Sequence, residues 1–368
     1  MELKEFSVET WMTDHEQDCK FNLADTCVSA LTINELAQLI DVDLLSKIGQ
    51  VCLDYGPITG SSHLKQAILS LYKNGDEDNI AITHGAINAN QHVMDTILSP
   101  GDHVIAMTPS YEQFYTYPAS LGCSYTLISL KEENQWKPTI DDFKDAIKKE
   151  TKMIILNSPN NPTGTVIDEA LMSSLIDLAR AHDCYIMVDE IYKGLSEKTP
   201  TSVCDLYEKG IVTNGLSKIF GFAGLRLGWV KANKELIKKI NLRRDYTIIS
   251  SGAFSDMMST EILEHTSPIL KRSRDIVKIN KQILSSWLEK EDLVTCVIPE
   301  DGTVCFLHYH LPVDSKMLCK DLQEKTGVFF VPGSCFDKEY HLRFGFTQDP
   351  HIIEEGLALL SSYLHAFQ

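Results

Sequence analysis

The sequence predicts an α/β fold: a mainly parallel sheet covered by helices, joined to a smaller α+β domain. Three observations predict it. Short β-branched or apolar runs alternate with helix-length amphipathic runs through the middle of the chain. Polar islands follow directly after several apolar runs, where an open parallel sheet binds its ligands. After about residue 267 the alternation gives way to one long charged helical pattern and then to alternating strands.

Taken in order, the expected strands are Asn79-Ile80-Ala81-Ile82, His103-Val104-Ile105-Ala106-Met107, Met153-Ile154-Ile155-Leu156 and Tyr185-Ile186-Met187-Val188. Between them, residues 89–98 and 169–181 space their apolar side chains at helical intervals. Residues 268–290 read as a long charged helix, with Pro268 acceptable in its first turn. Val304-Cys305-Phe306-Leu307-His308-Tyr309, Val328-Phe329-Phe330-Val331 and His341-Leu342-Arg343-Phe344 read as strands, and residues 351–367 as a final amphipathic helix. We expect a large domain over residues 41–267 and a small one built from residues 1–40 and 268–368.

The bulk properties exclude several classes. A formal net charge of -17 over 368 residues argues against a nucleic-acid backbone or an anionic membrane as the main partner. Met1-Glu2-Leu3-Lys4-Glu5 does not open a secretory signal, and no window approaches the roughly 18 apolar residues of a membrane span. Ten scattered cysteines without a C-x-x-C pair suit reduced thiols in the cytoplasm better than a disulfide framework.

The chemistry gathers in four places. Lys218 stands in Asn214-Gly215-Leu216-Ser217-Lys218, eight residues before Arg226 in Gly224-Leu225-Arg226-Leu227-Gly228. A lysine that attacks an aldehyde must be deprotonated, so its site is expected to lower its pKa by burial or a nearby cation such as Arg226. Alone, it would read as a solvated surface lysine. Asp189 ends an apolar run in Val188-Asp189-Glu190-Ile191-Tyr192, where a buried carboxylate needs a cationic partner. The bland reading is an N-cap. Asn161-Pro162-Thr163-Gly164 is a turn by any reading, and the Asn161 amide can serve two ligand groups at once.

Gly85, Ala86 and Ile87 open a helix after a strand, where free N–H groups can bind a phosphate. His84 beside them is either a ligand contact or structural. Tyr111, after Pro109-Ser110, can stack on a flat ring, while Phe114, Tyr115 and Tyr117 read as core. His308-Tyr309-His310 sets two imidazoles on one strand face, yet no third ligand is evident, so no metal site is expected.

With these residues assembled, the chain resembles the fold-type-I pyridoxal-phosphate enzymes, specifically the class I and II aminotransferases, from about residue 22 to the C-terminus. Tyr55-Gly56-Pro57, Pro100-Gly101-Asp102 and Pro109-Ser110-Tyr111 match the family's order, and Asn160-Asn161-Pro162-Thr163-Gly164, Asp189 to Tyr192, and Ser217-Lys218 with Arg226 match most strongly. Thr83-His84-Gly85 and the segment before Lys218 are also similar to a branch that includes capreomycidine-synthase-like enzymes. The resemblance implies a seven-stranded sheet and a pyridoxal 5'-phosphate cofactor held as a Schiff base by Lys218. It implies that Asp189 meets the pyridine nitrogen, that Asn161 and Tyr192 meet the ring oxygen, and that Tyr111 stacks on the ring. It places the phosphate against Arg226, Ser217, Gly85, Ala86 and Ile87, with Tyr55 reaching in from the other subunit of a homodimer. Arg343, with Asn161, would take the substrate α-carboxylate. One departure stands out: Gly215 occupies the position of a phosphate-binding serine. The 22–28 segment also lacks the glycine-containing loop usual near the substrate.

The expected reaction is transamination between an amino acid and a 2-oxo acid. A β- or γ-eliminating lyase, or a cyclase of a basic amino acid, is the alternative on the same residues. A ligand-sensing transcriptional module would need a DNA-binding extension and sits poorly with the acidic charge. Arg243 and Arg244 are candidates for a side-chain carboxylate, or else solvated helix charges.

Overall fold

A run of residues apolar on both faces must be covered on both sides, and that requirement organises the molecule. The computed structural model describes residues 3–196 and 198–366. Met1 and Glu2 of the expected start and Phe367 of the expected last helix lie outside the described residues.

In chain order the strands are β1 (Phe21–Asn22), β2 (Ile80–Thr83), β3 (His103–Thr108), β4 (Ser124–Ser129), β5 (Thr151–Asn157), β6 (Tyr185–Asp189), β7 (Gly210–Gly215) and β8 (Gly228–Lys231). There follow β9 (Val294–Cys296), β10 (Val304–Tyr309), β11 (Val328–Phe329), β12 (Val331–Pro332) and β13 (His341–Gly345). Seven of them form the main sheet in the order β2-β8-β7-β6-β5-β3-β4. The pairs from β7 through β4 are parallel, and β8 runs antiparallel to both of its neighbours. Strands β2, β7 and β8 are buried along their whole length, β7 and β8 as inner strands and β2 at the edge of the sheet.

The helices fall where the periodicity puts them. Glu169–Ala181 is capped by Asp168, whose carboxylate accepts from the Leu171 N–H at 2.8 Å. Gly85–Ile97 starts on the first residue after the β2 turn, and Thr266–Leu288 is the long charged helix. Its polar face is outermost, while Ile269, Val277 and Leu284 are buried.

A smaller antiparallel sheet, β12-β13-β10-β9, carries the C-terminal strands, and β1 pairs in parallel with β11. The expected single strand from Val328 to Val331 is two short ones. Val328 and Phe329 pair with β1, Val331 and Pro332 pair with β13, and Phe330 between them spends its carbonyl on the Trp11 indole N–H at 2.9 Å. That bond anchors the helix Ser7–His15 against the C-terminal strands. Among the described residues, no helix is long and apolar enough to cross a membrane.

Candidate active site

The main sheet reverses its winding between β3 and β5: β4 lies on one side of β3, while β5, β6 and β7 lie on the other. Such a reversal leaves a crevice at the carboxyl ends of the strands. Asp189 is the last residue of β6 and Gly215 the last of β7, so Ser217 and Lys218 follow directly. Asn161 turns away just after β5, and Tyr111 just after β3. Asp189, Ser217, Lys218, Asn161 and Tyr111 line one cavity of about 340 Å³, together with Tyr192, Ala86, Ile87, Arg226 and Arg343. Two expected residues do not line it. Gly85 lies beneath it at the helix start, and Tyr55 stands 65% exposed on the outer surface.

Asp189 is almost wholly buried and has no cation bonded to it among the described residues. One oxygen accepts from Asn90 Nδ2 at 2.7 Å, the other from the Ile191 N–H at 3.0 Å. Burial pushes its pKa up to about 6, against the lowering effect of those bonds and of Lys218. A cationic N–H donor placed there would relieve that cost.

Lys218 Nζ donates to Thr26 Oγ1 at 2.7 Å and lies 3.5 Å from Cys27 Sγ. The expectation of a lowered pKa is not met. Burial works to lower it, but Cys27, Tyr192 and Asp25 around the amine outweigh burial and hold it above its ordinary value. The neighbouring guanidinium opposing them is Arg343, not Arg226. Burial also raises the Tyr192 phenol, with Lys218 pulling the other way.

Glycines make the floor. A Cβ on Gly228 would fall 2.6 Å from the Ala86 backbone nitrogen, and one on Gly85 would meet Arg226 Nη2 at 2.9 Å. The helix start and the Arg226 guanidinium therefore close on one another around a space suited to an anion. Gly215 belongs to the same packing, because its Cβ would strike the Leu227 carbonyl at 2.8 Å and approach the Ala86 nitrogen to 3.4 Å. The serine missing from this position has no room. We predict that Gly215→Ser lowers stability by about 1–3 kcal/mol and weakens cofactor binding. Fluorescence titration showing tighter binding would contradict this.

Arg343 is buried, with Nε and Nη2 donating to the Ala24 carbonyl at 3.2 and 3.0 Å. Its planar fork is thus fixed by the segment before Thr26. Tyr111 donates its hydroxyl to Glu9 at 2.7 Å and stacks obliquely on Phe6, which ties it to the Ser7–His15 helix. Glu9, Glu16 and Asp25 add three carboxylates to the cavity wall. Burial, reinforced by Asp25, holds Glu16 above its ordinary pKa despite a hydrogen bond from Asn22.

Other expectations are corrected by position. His84 is exposed and does not line the cavity. Arg244 is neither solvated nor in the cavity: it is fully buried and donates to the carbonyls of Ile58 and Ile249 at 3.1 and 3.4 Å. Arg243 is exposed and lies outside the cavity as well. Sequence reasoning missed Thr26, Cys27 and Asn90. Asn90 left a trace, since it is a polar residue on the face shared by Ala86, Ala89, Val93 and Met94. The partners of Lys218 left none.

The residues fit pyridoxal 5'-phosphate on three counts. Asp189 is a buried carboxylate raised by desolvation, matched to a pyridinium N–H. Asn161 is 3% exposed and its Oδ1 has no hydrogen-bond partner; turning the amide over would point its N–H donors there, as a ring oxygen requires. The glycine floor presents a helix start and a guanidinium to a phosphate. A reversed parallel sheet with this site at its carboxyl rim defines a fold-type-I pyridoxal-phosphate enzyme.

Residues 27–359 match the family described as aminotransferase class I and II, and the chain belongs to that family. The family uses pyridoxal 5'-phosphate. A crystal structure of a PLP-dependent aminotransferase from Streptococcus suis is 36% identical, covers 100% of this chain and 99% of its own, and superposes with a TM-score of 0.97. Capreomycidine synthase from Streptomyces vinaceus is 25% identical over 97% of this chain and 93% of its own length. The PLP-dependent cyclase OrfR shares the fold, with a TM-score of 0.92 at 21% identity over 100% of this chain and 99% of its own.

Proposed function

We propose that the protein moves the α-amino group of an amino acid to a 2-oxo acid. The carrying observation is that Lys218, the buried Asp189 and the immobilised Arg343 share one cavity. When bound, pyridoxal phosphate supplies an electron sink for the pair released at the substrate Cα and a carrier for the amino group. Asp189 keeps the ring nitrogen protonated by matching a negative charge to it. Asn161 and Tyr192 hold the ring oxygen, and Tyr111 covers one ring face. Ser217, Arg226 and the N–H groups of Ala86 and Ile87 hold the phosphate, with Gly85 leaving room for Arg226 beside them. Arg343, together with Asn161, orients the substrate by its α-carboxylate, and Lys218 Nζ takes and returns the proton at Cα.

Apart from Lys218, Arg226 and Arg343, the charged groups of the cavity wall are carboxylates. A donor with a second carboxylate would face Glu9, Glu16 and Asp25, so neutral or basic side chains suit the wall better. The same wall favours, as a second reading, a cyclase or eliminating lyase acting on a basic amino acid. Single-turnover chemistry on the holoenzyme separates them. One equivalent of oxo acid without ammonia means transfer, whereas ammonia or a cyclised product means the second reading.

Arg343→Lys tests the substrate anchor. A lysine cannot keep both bonds to Ala24 and a two-pronged contact with a carboxylate. We predict KM for the amino donor rising about 10- to 100-fold, with a smaller change in kcat. Steady-state kinetics with KM unchanged would remove Arg343 from this role.

The working assembly in this reading is a homodimer in which Tyr55 reaches the partner's phosphate site. Leu53, Tyr55 and Ile58 are exposed beside Tyr246 and Ile249, and the two segments are bonded through Ser250 to the Tyr55 carbonyl and Arg244 to the Ile58 carbonyl. Such an apolar patch suits a second copy. Ten free thiols suit a reducing cytoplasm. For the domains we keep the division of 41–267 from 1–40 with 268–368, which separates the main sheet from the smaller one.

A further inference from the structure

The sequence paired His308 with His310 and left them without a third ligand. The fold keeps His310 beside His308, with ring centroids 4.6 Å apart, and adds His341, the direct cross-strand neighbour of His308 on β10 and β13. The adjacent pair is hydrogen-bonded, since the Tyr309 N–H donates to the Tyr340 carbonyl at 2.9 Å. His308 and His341 therefore occupy the close, non-hydrogen-bonded kind of position, where side chains approach best. Glu132, in the short turn after β4 of the main sheet, reaches across to both. Its Oε2 lies 2.8 Å from His308 Nδ1 and 3.6 Å from His341 Nε2.

His341 makes the cluster unusual. It is 2% exposed, and its Nδ1 sits 2.7 Å from the Glu339 carbonyl. A carbonyl only accepts, so Nδ1 carries a proton, and in the neutral ring Nε2 keeps its lone pair. That nitrogen is buried without a hydrogen-bond partner. A lone pair then faces a carboxylate oxygen across 3.6 Å, two acceptors with nothing between them. A cation resolves the conflict. The Nδ1 contact with Glu339 is also the outer support that a metal-bound imidazole ordinarily has.

We propose that Glu132, His308 and His341 form a zinc site that ties the smaller sheet to the main one. The three donor atoms lie within 4.8 Å of one another, and the two separations from Glu132, 2.8 and 3.6 Å, bracket the roughly 3.3 Å spacing of donors around tetrahedral zinc. Two imidazoles and a carboxylate suit zinc better than calcium or magnesium, which prefer oxygen alone. The rings of His308 and His341 now stack at 4.4 Å with planes 16° apart, so their lone pairs run side by side. His308 turns about its side-chain axis to converge. Its side chain is 31% exposed and can do so, whereas His341 is fixed by Phe306, Trp136 and Glu339. His341 is two residues from Arg343 on the same strand, so the ion also steadies the substrate anchor.

The test is zinc titration of the chelator-treated holoenzyme by calorimetry, with elemental analysis of the dialysed product. One zinc per chain is expected, with a melting temperature that rises on zinc addition. Glu132→Gln and His308→Asn, both at partly exposed positions, are each expected to weaken binding at least 10-fold and to abolish the rise. Their melting temperatures without zinc should match that of the parent. Free thiols binding zinc elsewhere would leave both variants unchanged, and that result overturns the site. So does the absence of saturable binding at one equivalent, which would leave the third position to a proton shared between His341 and Glu132.

Discussion

Lys218→Ala leaves the fold intact and cuts turnover by about 100- to 10,000-fold or more, the usual scale for losing a positioned proton-transfer group. The reason is local. Lys218 Nζ is the amine of this cavity, and its hydrogen bonds go to Thr26 Oγ1 and, more loosely, to Cys27. Alanine removes the amine without touching the core, because the Lys218 carbonyl still accepts from the Val28 N–H at 3.0 Å. The variant should elute and melt as the parent does. Borohydride treatment followed by peptide mapping should label the parent at Lys218 and the variant nowhere. A label at any other lysine, or unchanged turnover in the variant, would reassign the reacting nitrogen.

Asp189→Asn is expected to have the next largest effect, and its first readout needs no catalysis. In the cofactor-free protein the carboxyl titrates near 6 instead of the ordinary 3.8, because burial penalises the ion. At about 1.4 kcal/mol per tenfold change in proton affinity, ionised Asp189 costs about 3 kcal/mol of stability. The sign follows from which state keeps its proton. Below pH 3.8 both folded and unfolded chains are protonated, and nothing is lost. Between about 4 and 6 the folded chain holds a proton that the unfolded chain has released, so stability falls as pH rises. Urea unfolding of cofactor-free parent and variant should therefore diverge in the variant's favour across that window, then run parallel above it. Adding the cofactor should reverse the order, since a pyridinium N–H gives the carboxylate its partner. Turnover of the variant should drop about 100- to 1,000-fold. Curves that stay parallel from pH 4 to 7 would mean that Asp189 is not the group burdened by burial.

Much of this was legible in the chain for a plain reason. Asp189, Asn161 and Lys218 each follow a short apolar run, and a strand's carboxyl end is a place that sequence can mark. Arg226 was legible through its flanking glycines. The strands and helices that were named came through, apart from the divided Val328 to Val331 run, because period and length differ so clearly between the two kinds of run. What stayed hidden depends on contacts between distant segments. Thr26 is 192 residues from Lys218, and no local pattern announces that it will hold the amine. The protonation of Lys218 was misjudged for the same reason, since Cys27, Tyr192 and Asp25 set it, and all three are brought in by the fold. Arg244 looked like a solvated helix charge, but two carbonyls from neighbouring loops close over it. The Val328 to Val331 run has one composition and two pairing partners, a division made by β1 and β13 and not by the residues themselves.

The stretch from Ala24 to Val28 grips both Arg343 and Lys218. Its Ala24 carbonyl fixes Arg343, while Thr26 and the Val28 N–H fix the side chain and backbone of Lys218. In the proposed reading, five consecutive residues thus act as a caliper, setting the span between the point that grasps a molecule and the nitrogen that works on it. Lengthening or shortening that stretch by one residue would change which molecules can bridge the gap, without altering any catalytic side chain.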